Sequence, residues 1–338
     1  MIGAIIGDIV GSRFEFSAPP EEGFTLFTEE CDFTDDTICT IAVADAAMHG
    51  GDYRQALLKW CRKYPDPMGG YGARFYHWIN SDNPQPNNSC GNGSAMRVSS
   101  LGWLFDDLDK VKEEAKRSAE VSHNHPEGIR GAQCVASVIY WLRTSRVSKE
   151  RIERAVVKGF GYEIPSLSDV NRIGGLGHFD GTCQETVPMA LRCLIDGSDF
   201  EDVLRKAIMA DGDTDTKGAI AASMAEATYA IPDELVDKAL SLEGDNRIHA
   251  GQMVSGDWFV DTKDKMREII GHFPDAKAVD MESCAIAQVC HIYKVPFISF
   301  RVISDIPLRD TDASQYHNFW DTVAENSFHV TKTFIESL

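Results

Sequence analysis

Two short clusters of aspartate and threonine have the residue types and the spacing of a metal site. One lies in "CDFTDDTICT" and the other in "ADGDTDTKGA", and each precedes a run of small apolar residues that predicts a helix. Carboxylate and hydroxyl oxygens are the ligands that hard divalent cations prefer in proteins. The oxygen-bearing residues of the two clusters are Thr34, Asp35, Asp36, Asp213, Asp215 and Thr216.

The position of each cluster at a predicted helix start leaves two interpretations open. Neighbouring residues in a helix point about 100° apart, so the side chains of "DD" or "DTD" converge only at a helix N-terminus. Asp and Thr are also favoured there as caps, because they accept hydrogen bonds from free backbone N–H groups. If the two helix starts face one another, burying their oxygens together would be costly without a cation. The sequence therefore predicts either two helix caps or one site for Mg²⁺, Mn²⁺ or Ca²⁺, and a two-metal centre fits the second interpretation.

Two further segments have residue types that suit a ligand. "CGNGSAMR" (90–97) is glycine-rich, so its backbone N–H groups would approach a ribose or phosphate closely, although such runs are also typical of turns. "SHNHPEG" places His123 and His125 before a predicted helix. From the residues alone, a proline-initiated helix start is a simpler interpretation of this segment than a histidine metal site.

The bulk composition excludes some classes of function. The chain has 33 Lys and Arg against 52 Asp and Glu, a net charge of −19, so strong binding to a nucleic-acid backbone is not expected. Nine cysteines without a CxxC pair are typical of reduced thiols. The N-terminal "MIGAIIGDIVG" lacks a basic flank and Asp8 interrupts its apolar run, so we predict neither a signal peptide nor a membrane span. We expect a cytoplasmic protein without membrane contacts.

The elements that would position these residues differ between two parts of the chain. Up to residue 243, apolar residues recur at helical spacing in Ala-rich segments such as "TICTIAVADAAMHG" and "TKGAIAASMAEATYA", which predicts an all-α domain over residues 1–243. From 244 to 338 strand-like and helical segments alternate, which predicts a small α/β segment with parallel strands. Its predicted strands are 247–260, 276–281 and 295–304, and its predicted helices are 262–271, 282–293 and one from residue 316.

Five motifs follow one another over residues 1 to 240: "GAIIGDIVGSRFEF", "FTDDT", "GNGSAMR", "SHNHPEGIRGA" and "DGDTDTKGAIA". This ordered set resembles the ADP-ribosylglycohydrolase family, also called the dinitrogenase reductase-activating glycohydrolase family. The resemblance implies an all-α fold that removes ADP-ribose from modified side chains or related acceptors. It also implies two divalent metal ions, Mg²⁺ or Mn²⁺, as cofactors.

The resemblance assigns roles position by position. Glu15, in "RFEF", resembles a mobile glutamate that closes over the metals, and the base that activates water would be Asp35, Asp36 or Glu15. Asp211 is a departure, because the family commonly has glycine there. The metal ligands would be Thr34, Asp35, Asp36, Asp213, Asp215 and Thr216, and the residues that bind the ligand's ribose and phosphates would be Gly91, Asn92, Gly93, Ser94, Met96 and His123.

Residues 247 to 338 resemble the C-terminal part of methylthioadenosine/S-adenosylhomocysteine nucleosidase, a nucleoside phosphorylase-type α/β fold. The resemblance implies that Phe259 stacks on adenine, Met281 and Glu282 hold the ribose, and Asp305 protonates the departing base with Arg301 nearby. From the residues alone, "VDMES" and "RVISD" are strands that end in carboxylates, where ligands often bind. Glu282 and Asp305 would equally serve as caps of the helices that follow.

The sequence thus predicts an all-α ADP-ribosylglycohydrolase-like domain followed by a partial nucleoside phosphorylase-like α/β segment. We expect a metal-dependent hydrolase that cleaves the ribosidic bond of an ADP-ribosylated protein or small molecule. Two alternatives stay open: an adenine nucleoside hydrolase that uses the C-terminal segment, and a protein that binds ADP-ribose without turnover. Because the second segment matches only part of a nucleosidase, we do not expect an independent nucleosidase. We expect it to act in homo-oligomerisation or docking, or to be a remnant that still binds adenine.

Overall fold

The structure, a computed structural model, describes residues 1–18, 20–145, 147–174, 179–240, 251–260, 262–293, 297 and 299. The chain divides into two compact units, Met1–Leu242 and Glu243–Leu338.

The described secondary structure of the first unit is helical, apart from two isolated β-bridges that pair Thr34 with Met68 and Gly91 with Thr182. One hydrophobic cluster runs through the apolar faces of most of its helices. The helices are α1 (Ile2–Ser12), α2 (Asp35–Met48), α3 (Tyr53–Lys63), α4 (Ala73–Ile79), α5 (Gly93–Met96), α6 (Ser99–Leu104), α7 (Leu108–Glu120), α8 (Pro126–Ser145), α9 (Lys149–Phe160), α10 (Leu167–Gly174), α11 (Cys183–Asp196), α12 (Phe200–Met209), α13 (Thr214–Ala225) and α14 (Asp233–Leu240).

Helices α1 and α13 pack backbone to backbone, and small residues make this possible. A Cβ at Gly7 would lie 2.2 Å from the carbonyl oxygen of Gly218, and one at Gly11 would lie 2.5 Å from that of Thr214. The hydroxyl of Thr214 donates a hydrogen bond of 2.8 Å to the Gly11 carbonyl oxygen. This close approach brings the C-terminal end of α1 to the N-terminal end of α13, where the second Asp/Thr cluster begins.

The second unit contains a pair of parallel strands. Strand β1 (Gln252–Ser255) pairs with strand β2 (Ala276–Asp280), with Met253 opposite Ala278. Helix α15 (Lys263–His272) connects the two strands, and helix α16 (Ser283–Ile292) follows β2. This is the strand–helix–strand unit of parallel α/β folds.

The predicted fold class, helical first and α/β second, is confirmed by these elements. The two quoted Ala-rich segments begin within α2 and α13 and extend past the helix ends at Met48 and Ala225. The predicted parallel pairing is the pairing of β1 with β2. The strand predicted at 295–304 and the helix predicted from residue 316 lie almost entirely outside the described residues, so both stay predictions.

All nine cysteines are free thiols. Within the described ranges, no helix has the length and apolar character that crossing a membrane requires.

Candidate active site

The first Asp/Thr cluster forms the start of helix α2. Thr34 is the N-cap residue, and its hydroxyl oxygen accepts a hydrogen bond of 3.2 Å from the backbone N–H of Asp36. Asp35 and Asp36 follow in the first turn, where the helix dipole favours negative charge. Thr34 therefore caps the helix, as one interpretation predicted, while the carboxylate of Asp36 is buried close to it.

Asp8, on α1, fixes the orientation of this helix start. It is fully buried, and its carboxylate accepts hydrogen bonds from the Thr34 hydroxyl at 2.8 Å and from the Thr37 backbone N–H at 3.0 Å. Because the Thr34 hydroxyl proton points to Asp8 and one lone pair accepts from Asp36 N–H, one lone pair of the hydroxyl oxygen remains. In the sequence, Asp8 stands out only as an interruption of an apolar run. A carboxylate inside an apolar helix is itself a signal of a buried polar site.

The second cluster forms the start of helix α13. Asp213 is the N-cap residue, but its side chain makes no capping hydrogen bond. Instead Asp213 Oδ2 accepts a hydrogen bond of 2.6 Å from the Asn92 amide, which also donates to Thr186 Oγ1 at 3.0 Å. Asp215 Oδ1 accepts from the backbone N–H of Thr216 at 2.9 Å. Asn92 thus joins the glycine-rich segment directly to the second cluster.

Three carboxylates converge beside these helix starts. One oxygen each of Glu15, Asp213 and Asp215 lies within 4.8 Å of the others. Glu15 belongs to the turn that follows α1, and the Cβ that Gly69 lacks would lie 2.7 Å from Glu15 Oε2. The structure therefore brings together the glutamate and the second cluster.

Burial and mutual repulsion dominate the electrostatics of the cluster. Burial raises the pKa of Asp215 well above its ordinary value, and the charges of Asp36 and Asp213 raise it further. Burial likewise raises the pKa of Glu15 to about 8, with smaller contributions from Asp213 and Asp35. The pKa of Asp36 is raised by burial and then by Asp35, while a hydrogen bond from Thr216 opposes the rise. The two helix starts are therefore close enough to share one electrostatic environment.

The donor set fits hard divalent cations. Among the described residues, the buried Oδ2 of Asp36 has no hydrogen-bond partner. A buried carboxylate oxygen without a partner is costly unless a cation or proton neutralises it. Carboxylates and hydroxyls, without a thiolate or imidazole among them, are the oxygen ligands that Mg²⁺, Mn²⁺ and Ca²⁺ prefer.

The glycine-rich segment and the imidazole of His123 lie together beside Asn92. A Cβ at Gly91 or at Gly93 would lie 3.4 or 3.3 Å from His123 Nε2, so glycine keeps the space beside the imidazole open. The other ring nitrogen, Nδ1, is 2.8 Å from the Ser122 hydroxyl. Burial lowers the pKa of His123 well below its ordinary value and the buried Arg97 lowers it further, so the imidazole is neutral at physiological pH.

Other predicted ligand residues hold this segment in place. The buried Ser94 hydroxyl donates to the carbonyl oxygen of Gly128 at 2.8 Å. Met96 is buried, and its carbonyl oxygen accepts from the Thr40 hydroxyl at 3.5 Å. His125 accepts from the Glu127 N–H at 3.1 Å, as expected of a helix start. The bonds of the Ser94 hydroxyl and of the Met96 carbonyl oxygen anchor the segment to α8 and α2.

The candidate residues of the second unit are only partly described. The side chains of Phe259 and Met281 are 56% and 43% exposed. Glu282 is the N-cap residue of α16 without a side-chain capping hydrogen bond, whereas Asp280 accepts from the Ser283 N–H at 3.2 Å. Arg301 and Asp305 lie outside the described residues.

The first unit lies wholly within the match to one family model. A family model described as ADP-ribosylglycohydrolase matches residues 1–264. A solved structure titled "ADP-ribosylglycohydrolase-related protein complex" aligns with a TM-score of 0.52 and 22% sequence identity, over 71% of this chain and 95% of that chain. At this identity the likeness is one of fold.

The C-terminal part is similar to nucleosidases. A model described as Phosphorylase superfamily matches residues 200–336. The 5'-methylthioadenosine/S-adenosylhomocysteine nucleosidase of Staphylococcus epidermidis is 35% identical over 113 residues, which are 33% of this chain and 49% of that protein. The Staphylococcus haemolyticus enzyme of the same name is 41% identical over 88 residues, 26% of this chain and 38% of that protein. The chain thus spans about half or less of these relatives' length. Because the glycohydrolase family model matches more than half of this chain, the chain belongs to the ADP-ribosylglycohydrolase family.

Proposed function

We propose that the first unit is a metal-dependent hydrolase that cleaves the ribosidic bond of ADP-ribosylated substrates and releases ADP-ribose. The observation that carries this proposal is the convergence of the carboxylates of Glu15, Asp213 and Asp215 within 4.8 Å of one another. Membership of the family supports a glycohydrolase. The substrate would be an ADP-ribosylated protein or small molecule.

Two Mg²⁺ or Mn²⁺ ions would bind between the two helix starts. The unpartnered oxygen of Asp36 and the remaining lone pair of Thr34 Oγ1 support this placement. When bound, the ions supply Lewis acidity and neutralise the charge of the carboxylates. The residues that would hold them are Thr34, Asp35, Asp36, Asp213, Asp215 and Thr216.

The chain's own residues would bind the ligand and move the proton. Hydrolysis joins a water oxygen to the anomeric carbon, breaks the bond to the acceptor, and transfers a proton from the water to a base. Glu15 is one candidate for this base, because its carboxylate lies beside those of Asp213 and Asp215. Asp35 and Asp36 are the other candidates for this role.

The glycine-rich segment and His123 would bind the parts of the ligand beyond the ribosidic bond. A neutral imidazole donates a hydrogen bond without adding charge, so His123 would bind a phosphate or the distal ribose. The open space at Gly91 and Gly93 would let the backbone approach the same groups. The Asn92 amide would hold Asp213 in position while this happens.

The decisive experiment measures ADP-ribose release from arginine-, serine- and DNA-linked ADP-ribose, with Mg²⁺, with Mn²⁺ and with EDTA. Wild type is compared with Asp215→Ala and with Asp82→Asn, a control that changes an exposed carboxylate. We expect metal-dependent release that Asp215→Ala abolishes and Asp82→Asn preserves, and the cleaved conjugate identifies the acceptor. Tight ADP-ribose binding without release from any conjugate would instead establish a sensor, and release undiminished by EDTA would overturn the metal-dependent mechanism.

A further inference from the structure

The turn that leads into the second cluster has an unusual backbone. Asp211 has φ 56° and Gly212 has φ 69°, two successive residues in the left-handed region. Glycine adopts this region freely, whereas a residue with a Cβ is strained there. Among the described non-glycine residues, Asn88 alone shares a positive φ with Asp211. The turn directly precedes Asp213, so its conformation sets the position of that carboxylate.

Lys217 bonds directly to this turn. Its side chain is buried, and its ammonium group donates to the carbonyl oxygen of Asp211 at 2.5 Å and to that of Ala210 at 3.3 Å. Ala210 is the C-cap of α12, where backbone carbonyls lack helical partners and a cation is favourable. Lys217 thus ties the first turn of α13 to the end of α12, across the left-handed residues.

We propose that Lys217 is a positioning residue of the candidate metal centre: its hydrogen bonds hold the left-handed turn at Asp211 and thereby fix Asp213. This inference rests on the proposed function, because it assumes that Asp213 binds a metal ion. The ammonium group itself, being a cation bonded to carbonyl oxygens, takes no part as a ligand.

The buried charge supports this role. Burial lowers the pKa of Lys217, and the negative charge of Asp213 opposes that change first among its neighbours. A buried ammonium group persists only where hydrogen bonds and opposite charge compensate its lost hydration. Lys217 has both at one turn, so its removal would release the turn rather than open a distant part of the core.

A double-mutant cycle tests this coupling. The variants are Lys217→Met, Asp211→Gly and the double variant, and the readouts are Mn²⁺ affinity by calorimetric titration and the metal-free melting temperature. We expect Lys217→Met to weaken Mn²⁺ binding about tenfold, as losses around metal ligands commonly do. Because glycine needs no support in a left-handed turn, Asp211→Gly should restore most of the affinity in the Lys217→Met background and change it little in the wild type.

Lys206→Met is the matched control. Lys206 lies on α12 near the same turn, but its ammonium group pairs with Asp202 instead, so Mn²⁺ affinity should stay at the wild-type value. If wild type binds Mn²⁺ and Lys217→Met binds it equally well, the inference is wrong while the proposed function stands. Strictly additive losses in the cycle would also overturn it, because they would give Lys217 a general structural role. If wild type takes up no Mn²⁺, both the metal centre and the inference fail.

Discussion

The hydroxyl of Thr34 donates a hydrogen bond of 2.8 Å to a carboxylate oxygen of Asp8, a residue 26 positions earlier in the chain. The same carboxylate accepts from the backbone N–H of Thr37. Helix α1 therefore orients the start of helix α2 through one fully buried side chain. If Thr34 binds a metal ion as proposed, Asp8 would set the direction in which the Thr34 oxygen presents its remaining lone pair.

Replacing Asp8 with asparagine should weaken metal binding while the fold persists. The amide oxygen would still accept hydrogen bonds on one side, but the amide NH₂ would face the Thr37 N–H or the Thr34 hydroxyl as a second donor, and the Thr34 hydroxyl would lose its charged acceptor. We expect Mn²⁺ affinity to fall about 10- to 100-fold, the usual effect of removing such a partner. Calorimetric titration measures it, with Asp82→Asn as the exposed control. Unchanged affinity in Asp8→Asn would show that Thr34 needs no such orientation.

Metal-free protein should lose stability as pH rises. Burial raises the pKa of Glu15 from 4.5 to about 8 and that of Asp8 from 3.8 to about 6. Between the ordinary and the raised values the folded state binds protons that the unfolded state has released, so the free energy of unfolding falls with increasing pH. Urea denaturation in EDTA at about pH 5.5 and at about pH 8 should show this fall.

We expect the buried carboxyl groups, and not the net charge of the protein, to cause the fall in the free energy of unfolding with pH. Asp215→Asn removes one of the carboxyls whose pKa is raised, so the stability of this variant should depend less on pH than that of wild type. Asp82→Asn changes the net charge equally and should keep the wild-type pH dependence. Saturating Mg²⁺ should also reduce the dependence, because the ions bind the ionised carboxylates. An equal reduction of the pH dependence in both variants would assign the effect to net charge, and a wild-type dependence in both would show that Asp215 does not contribute.

Much of this arrangement was predictable from local sequence. Thr34 and Asp213 do begin helices, because Asp and Thr before Ala-rich segments are strong N-terminal signals. The parallel pairing of β1 and β2 was predicted as well, since alternating strand and helix patterns allow few arrangements. In both cases the information is contained in short windows of residues.

Tertiary contacts were not predictable in the same way. The hydrogen bond from Asn92 to Asp213 joins residues 121 positions apart, and no local pattern specifies it. Asp8 was missed because one charge in an apolar run indicates only that a run is interrupted. The left-handed backbone at Asp211 was also missed, since aspartate does not by itself indicate a positive φ. These features depend on which helices meet.

Gly7→Ala should separate helices α1 and α13. A Cβ at this position would lie 2.2 Å from the backbone oxygen of Gly218. A backbone atom cannot move aside as the end of a flexible side chain can. Overpacking of this kind commonly destabilises a protein by about 1–3 kcal/mol. Because α1 and α13 carry Asp8 and Asp215, Mn²⁺ affinity should fall along with stability. Chemical denaturation and metal titration measure the two effects.

Gly159→Ala is the matched control for that substitution. Gly159 lies in α9, and a Cβ there would have open space around it. Alanine should therefore stabilise the helix by roughly 0.5–1 kcal/mol and leave metal affinity unchanged. If both glycine variants affected stability and Mn²⁺ binding alike, the close contact of α1 with α13 would not be what aligns the two helix starts.

The 338-residue chain in EDTA should release no adenine from methylthioadenosine. A small-molecule site normally buries most of its ligand, yet the side chains of Phe259 and Met281 are about half exposed. The chain also spans only 49% of the Staphylococcus epidermidis nucleosidase that it matches. An adenine-release assay checks this, with Phe259→Ala alongside wild type. Metal-independent release that Phe259→Ala abolishes would assign a nucleoside hydrolase activity to the second unit. A trace of release equal in both proteins would leave Phe259 without a role in it.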